Sequence, residues 1–245
     1  MDTLYIFYFL LFIVAFLYAS VGHGGASGYL ALMAIFSMAP EVMKPTALLL
    51  NLFVSLTAFV QYYRGGHFKW SIFWPLALAS VPFAFLGGMV QMDASVYKKI
   101  LGFLLLLPVL RFLFKPNVKE EDLKSSGILL SLVVGAVIGL LSGLIGIGGG
   151  IILSPILLLL MWTNQKQTAA ISAMFIFVNS LSGLLGQLTT GVTFSGNMIY
   201  FVIIAFAGGL GGAYLGSIRF NQNILKYSLA IVLLVASFKL VFTTA

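Results

Sequence analysis

Apolar residues run through this chain in ten segments, at about 4–20, 27–39, 46–63, 70–91, 96–114, 127–145, 150–162, 168–188, 197–217 and 224–242. Runs this long and this poor in charge predict membrane-crossing α-helices rather than the alternating strands of a barrel. They fall into two sets of five with the same order: a helix, a glycine break, a short segment, then three longer helices. The predicted fold is an all-α integral membrane protein, a polytopic helical bundle of two homologous repeats, 1–114 and 127–245, joined by a charged linker at 115–126.

The breaks carry the strongest local signal. In the second, Ser142-Gly143-Leu144-Ile145-Gly146-Ile147-Gly148-Gly149-Gly150, four of the last five residues are glycine. Each costs roughly 1 kcal/mol in a helix interior relative to alanine, so the helix ends there. A looser copy is Ser20-Val21-Gly22-His23-Gly24-Gly25. Further echoes pair Lys44-Pro45-Thr46-Ala47 with Lys166-Gln167-Thr168-Ala169, and Gly87-Gly88 with Gly211-Gly212.

The segment after each break, about 13 residues, rises only about 20 Å against a hydrocarbon core of about 30 Å. Each reads as one arm of a re-entrant hairpin or as a short, tilted crossing, which inverts the second repeat. A single broken span would instead make the repeats parallel. Loop charge separates the two, because Lys and Arg concentrate on the cytoplasmic side. The inverted arrangement gathers Arg64, Lys69, Lys115, Lys119, Lys124, Lys166, Arg219 and Lys226 on one face and leaves Lys44, Lys98 and Lys99 on the other; the parallel one divides the charges evenly. Inverted repeats are therefore expected, in the bacterial inner (plasma) membrane, multi-pass, with both termini on the non-cytoplasmic side.

Composition agrees: 61% of the 245 residues are hydrophobic, 8% are charged and the mean hydropathy is +1.10. A net charge of +7 then reflects loops facing anionic lipid, not nucleic acid. The partners expected are the lipid bilayer and a small anion, and a homo-oligomer is compatible with such a bundle. With no cysteine, disulfides, thiolate metal sites and cysteine catalysis are excluded. No Asp or Glu falls deep within a span and none follows Asp122, which argues against carboxylate proton relays and hard-cation cages. No metal and no cofactor is expected. A membrane enzyme is poorly served by two histidines, His23 and His67, and the glycine run lacks the preceding strand and following acid of a dinucleotide site. The first ten residues lack a basic region, so the first apolar segment is expected to remain as a span.

At Ser142 to Gly150, with Pro155 beyond them, and at Gln167-Thr168-Ala169-Ala170-Ile171-Ser172 and Asn179, the chain resembles the TauE/SafE family of sulfite exporters. The similarity extends over essentially the whole chain, with His23 and Asn51 in the looser first copy. The resemblance implies export of sulfite or of a small organosulfur anion.

The residues supply a physical reason. A helix that starts inside the membrane presents unpaired N–H groups and about half a positive charge at its first turn. Glycine lets those groups approach an anion closely. Gly22, Gly24, Gly25, Gly146, Gly148, Gly149 and Gly150 are accordingly the backbone candidates for substrate binding. Asn51 and Asn179 lead the side-chain candidates, with Ser172 next, because polar groups within spans face the bundle interior. Serines there also serve as interhelical hydrogen-bonding groups, and Gly87-Gly88 and Gly208 to Gly212 read as close-packing positions. For His23 two roles stand side by side: gaining a proton alongside the anion, or bonding a freed carbonyl. The function expected is secondary transport of a small anion by alternating access, with an anion channel as the alternative and a membrane enzyme behind it.

Overall fold

The computed structural model describes residues 2–20, 25–113, 120–192, 196–216 and 222–242, and these contain helices and no strand. The helices are α1 (Asp2–Ser20), α2 (Ala26–Ile35), α3 (Pro40–Arg64), α4 (Trp70–Met89), α5 (Ala94–Leu104), α6 (Leu106–Leu113), α7 (Ile128–Ile145), α8 (Gly150–Leu159), α9 (Gln165–Leu188), α10 (Gly196–Gly216) and α11 (Gln222–Phe242). Of these α3, α4, α7 and α9 are long and apolar enough to cross a membrane.

Local chemistry sets several ends. Asn164 caps α9 in a capping box with Gln167, and the Asp93 carboxylate accepts from the N–H groups of Ser95 and Val96 to start α5. Asp93 is thus a helix cap, where position alone suggests an interfacial or loop-pairing acid. The apolar segment at 96–114 is two helices, not one, because Pro108 cannot donate to the carbonyl of Leu104 and its ring crowds that oxygen. α3 begins at Pro40, where a proline is at home, so Lys44 belongs to the helix rather than to a loop.

The helices are apolar on the outside, and where two of them pack most closely the facing residues are small or polar. On α7 the side chains of Leu129, Val133, Val137 and Leu140 are exposed, whereas Ser131, Gly135, Gly139 and Ser142 are buried. Lipid offers leucine as good a solvent as the core does, so close backbone approach, not burial of large side chains, selects the packed face. On α7, Gly135, Gly139 and Gly143 sit directly on the carbonyl oxygens of Leu76, Ser80 and Ala84 of α4. Each step is four residues on both helices, so α4 and α7 run in the same direction. Gly208 and Gly212 of α10 sit in the same way on Phe12 and Phe16 of α1. Between these pairs α3 crosses α9 in the opposite sense: Asn51 meets Ser180, and Leu48 meets Gly183.

Both short helices double back toward the start of the helix before them, α2 packing on α1 and α8 on α9. Tyr18 and Ser27 share a hydrogen bond of 2.7 Å near the closed end of the α1–α2 pair, and the rings of Phe7 and Phe36 meet at 5.3 Å at its open end. For α7 and α8, Gly149 lies against Ile138, and the backbone N–H of Lys124, just ahead of α7, donates to the carbonyl of Met161 at 2.8 Å. Ser37 and Met161, each just past its short helix, are the two non-glycine residues with positive φ among those described, at 56° and 55°.

Gly139→Ala places a methyl group on the Ser80 carbonyl and should destabilise the detergent-solubilised protein by about 1–3 kcal/mol, the usual cost of overpacking. Gly209→Ala, which meets only Val54 at 3.8 Å, should be neutral or mildly stabilising. Thermal unfolding of the two variants side by side checks the contrast.

Candidate functional site

α7 ends at Ile145, and the chain then reverses through Gly146, Gly148 and Gly149 with φ of +86°, +71° and +78°. Any side chain would pay about 1–2 kcal/mol in that left-handed conformation, which is why the turn is written in glycine. α8 then begins inside the protein with Gly149 as its N-cap and no side chain capping it. Its first turn therefore offers backbone N–H groups to whatever lies beside it.

What lies beside it comes from both repeats. Gly148 is packed against Asn51 of α3 and Ser180 of α9; a Cβ there would stand 2.9 Å from Asn51 Nδ2 and 2.9 Å from Ser180 Oγ. Asn51 Nδ2 donates to Ser180 Oγ at 3.3 Å, and its Oδ1 is buried with no hydrogen-bond partner. Asn179 is fully buried as well; its Nδ2 donates to the Phe175 carbonyl of its own helix at 2.8 Å, and its Oδ1 is unpartnered. Ser172 pairs with Ser154 at 2.8 Å, while Ser154 donates to the Gly150 carbonyl at 2.7 Å. Gly150 itself abuts Ile176 and stands near the Ser172 carbonyl.

The structure thus brings Gly146, Gly148, Gly149 and Gly150 together with Asn51 and Ser172. Asn179, one residue from Ser180, bonds its own helix. Gly25 lies against the ring of Tyr29, whose buried hydroxyl has no partner. Gly22, His23 and Gly24, and with them the proton role considered for His23, lie outside the described residues.

Other contacts at the break were not legible as site chemistry. Tyr97 of α5 donates its hydroxyl to the Ile145 carbonyl at 2.9 Å, satisfying the end of α7. Gly146 rests on Lys44: a Cβ built there would stand 3.0 Å from its carbonyl oxygen and 3.2 Å from its Cγ, so a basic residue stands at the edge of the break. The signal for Lys44 was its place in the repeated Lys-x-Thr-Ala pattern, which read as loop charge as long as the helix was taken to start at residue 46.

Helices with apolar outer stripes around a glycine-broken interior make up a multi-pass membrane protein. The model of the sulfite exporter TauE/SafE family matches residues 7–240, and the chain belongs to that family. A Sinorhizobium fredii protein named "Probable membrane transporter protein y4hK" is 35% identical over 234 residues, 94% of each chain. A Haemophilus influenzae "Probable membrane transporter protein" is 28% identical over 88% of this chain and 84% of its own. "Sulfite exporter TauE/SafE family protein 1" of Arabidopsis thaliana is 31% identical over 42% of this chain and 22% of its own. No solved structure matches the chain.

The tightness of the junction is testable against an internal control. Gly148 and Gly191 share a left-handed backbone, but nothing lies within 4 Å of a Cβ built on Gly191. Gly148→Ala should therefore cost about 1–3 kcal/mol more than Gly191→Ala in denaturant unfolding. Equal costs would mean that the break is not packed on Asn51 and Ser180.

Proposed function

We propose that the protein is a secondary transporter that exports sulfite or a small organosulfur anion across the bacterial cytoplasmic membrane by alternating access. The observation that carries this reading is the uncapped start of α8 inside the bundle, packed through Gly148 on Asn51, whose amide bridges to the opposite repeat. Backbone N–H groups and the end of the helix dipole would hold the anion's oxygens, and Asn51 would add an amide N–H. Such donors release an anion more readily than a fixed buried cation would, which suits a site that must load and unload.

In this reading 1–114 and 127–245 are inverted repeats linked by 115–126, with both termini non-cytoplasmic. Several contacts support it. Corresponding helices α3 and α9 run in opposite directions, and exchanging the repeats turns the α4–α7 contact into α10–α1. Each short helix doubles back toward the start of its predecessor. The family name supports the cargo, as does the "sulfite exporter" in the name of the Arabidopsis relative.

The test is thermal stabilisation of purified protein by sulfite, sulfate, thiosulfate, sulfoacetate and simple carboxylates. A ligand at a hundredfold excess over its Kd stabilises by about 2.7 kcal/mol, a clear shift in the midpoint. Sulfite or an organosulfur anion is expected to stabilise most, and Asn51→Ala to weaken that binding about tenfold, the cost of one charge-assisted hydrogen bond. In proteoliposomes efflux of the same anion should saturate. Unitary conductance far above carrier rates would instead assign a channel, and an absence of stabilisation by every anion would overturn the cargo.

A further inference from the structure

A cavity of about 250 Å³ opens among the first turns of α3, the C-terminal ends of α4 and α9 and the start of α5. Its inner wall includes Leu144, two residues before Gly146, so it leads from the protein's edge to the back of the glycine break. It is smaller than a typical pocket for a drug-sized ligand, about 300–1,000 Å³, and suits a molecule of a few heavy atoms with water.

Two polar side chains in its wall are arranged in a way that packing does not explain. Gln187 is 2% exposed, and neither its Nε2 nor its Oε1 has a hydrogen-bond partner. A buried amide with its donors and acceptor unused is costly, and such groups ordinarily meet a partner. Lys44 Nζ donates to the carbonyls of Val90 at 3.2 Å and Gly88 at 3.5 Å, at the end of α4 where helix carbonyls lack partners. It pairs with no carboxylate among the described residues. An ammonium has three N–H groups, so at least one remains for the cavity. Glu41, on the same wall, is exposed, but its carboxylate acts on the buried Tyr97 hydroxyl, so it opposes an anion there and Lys44 has to outweigh it.

We propose that this cavity is an oxyanion subsite in which Lys44 supplies the positive charge and Gln187 the amide N–H, next to the glycine break and on the side of the protein opposite the linker. The ligand class is a small oxyanion with several acceptor oxygens, such as sulfite or the head of a sulfonate; only that choice of anion rests on the transport reading. The donor set favours an anion over a metal cation, because Lys44 already occupies the two carbonyls that a cation would need. Under inverted repeats the counterpart of Lys44 is Lys166, which is exposed, so the two ends of the pathway are not alike, and a charged trap exists at one of them.

The natural absence of cysteine makes the subsite directly readable. Thr190, half-buried in the cavity wall, is replaced in Thr190→Cys and reacted in full-length protein with an anionic and a cationic methanethiosulfonate reagent of similar size. The anionic reagent should react several-fold faster, Glu41→Gln should widen the gap, and Lys44→Met should close or reverse it. Equal rates, or faster reaction of the cationic reagent, overturn the proposal. In parallel, sulfite affinity measured by thermal stabilisation should fall about tenfold in Lys44→Met and in Gln187→Leu, and rise in Glu41→Gln. Sulfite binding that is intact in all three variants overturns the subsite and leaves the transport reading standing. A charge preference at Thr190→Cys with no anion bound by the wild type supports the subsite and defeats the assigned cargo.

Discussion

Where water is absent every backbone N–H and C=O must find its partner within the protein, and the architecture follows from how this chain meets that demand. Long helices satisfy themselves. The chain can break a helix in mid-bundle only where other groups take over the freed positions, as Tyr97 does for the Ile145 carbonyl and as the end of α4 does by recruiting Lys44. Glycine serves this in two distinct ways. At 146, 148 and 149 it permits the left-handed reversal; at 135, 139, 143, 208 and 212 it brings one helix onto the carbonyls of the next. Among the groups that stay unsatisfied after both are the start of α8, Asn51 Oδ1 and both ends of the Gln187 amide, at the break and in the cavity beside it.

This division also explains which parts of the fold were legible beforehand. Hydropathy and glycine density are local, and they located nearly every helix, both breaks and the polar positions of α3 and α9. Direction and partnership are not local. That α7 lies along α4 depends on glycines spaced by four finding carbonyls spaced by four on a helix some 60 residues earlier. The split between α5 and α6 was concealed because Pro108 sits within an unbroken apolar run, and hydropathy does not register a missing N–H.

The site divides along the same line. Gly146 to Gly150, Asn51 and Ser172 were visible as residue types in unusual places, and the structure gathers them. Lys44 was visible only as a charge. Its role emerges when α3 is seen to begin at Pro40 and when the close fit of Gly88 on Gly183 brings the ends of α4 and α9 together, setting Gln187 and Lys44 on one cavity. No spacing rule links residues 44 and 187, because their meeting is a product of helix packing between repeats.

The distribution of tight and loose contacts bears on how such a molecule could alternate. The closest interfaces, α4 with α7 and α1 with α10, each join one repeat to the other through backbone contact without intervening side chains. A motion that separated residues 1–114 from 127–245 as rigid bodies would tear both. α9 is bound to α4 through Gly186 on the Phe85 carbonyl and Ser182 donating to the Val81 carbonyl at 2.6 Å, whereas α3 meets α10 only through side chains such as Phe53 and Phe206. The natural bodies are therefore drawn across the repeats, α4, α7 and α9 with α3 packed along α9 on one side, and α1 and α10 on the other. Within the first body Asn51 holds Ser180 by one hydrogen bond of 3.3 Å, next to Gly148. A single long hydrogen bond between neutral groups is worth about 1 kcal/mol, so packing rather than that bond holds α3 on α9. The looser boundary is thus that of α3 with α10, and parting it would leave the Asn51–Gly148 contact whole.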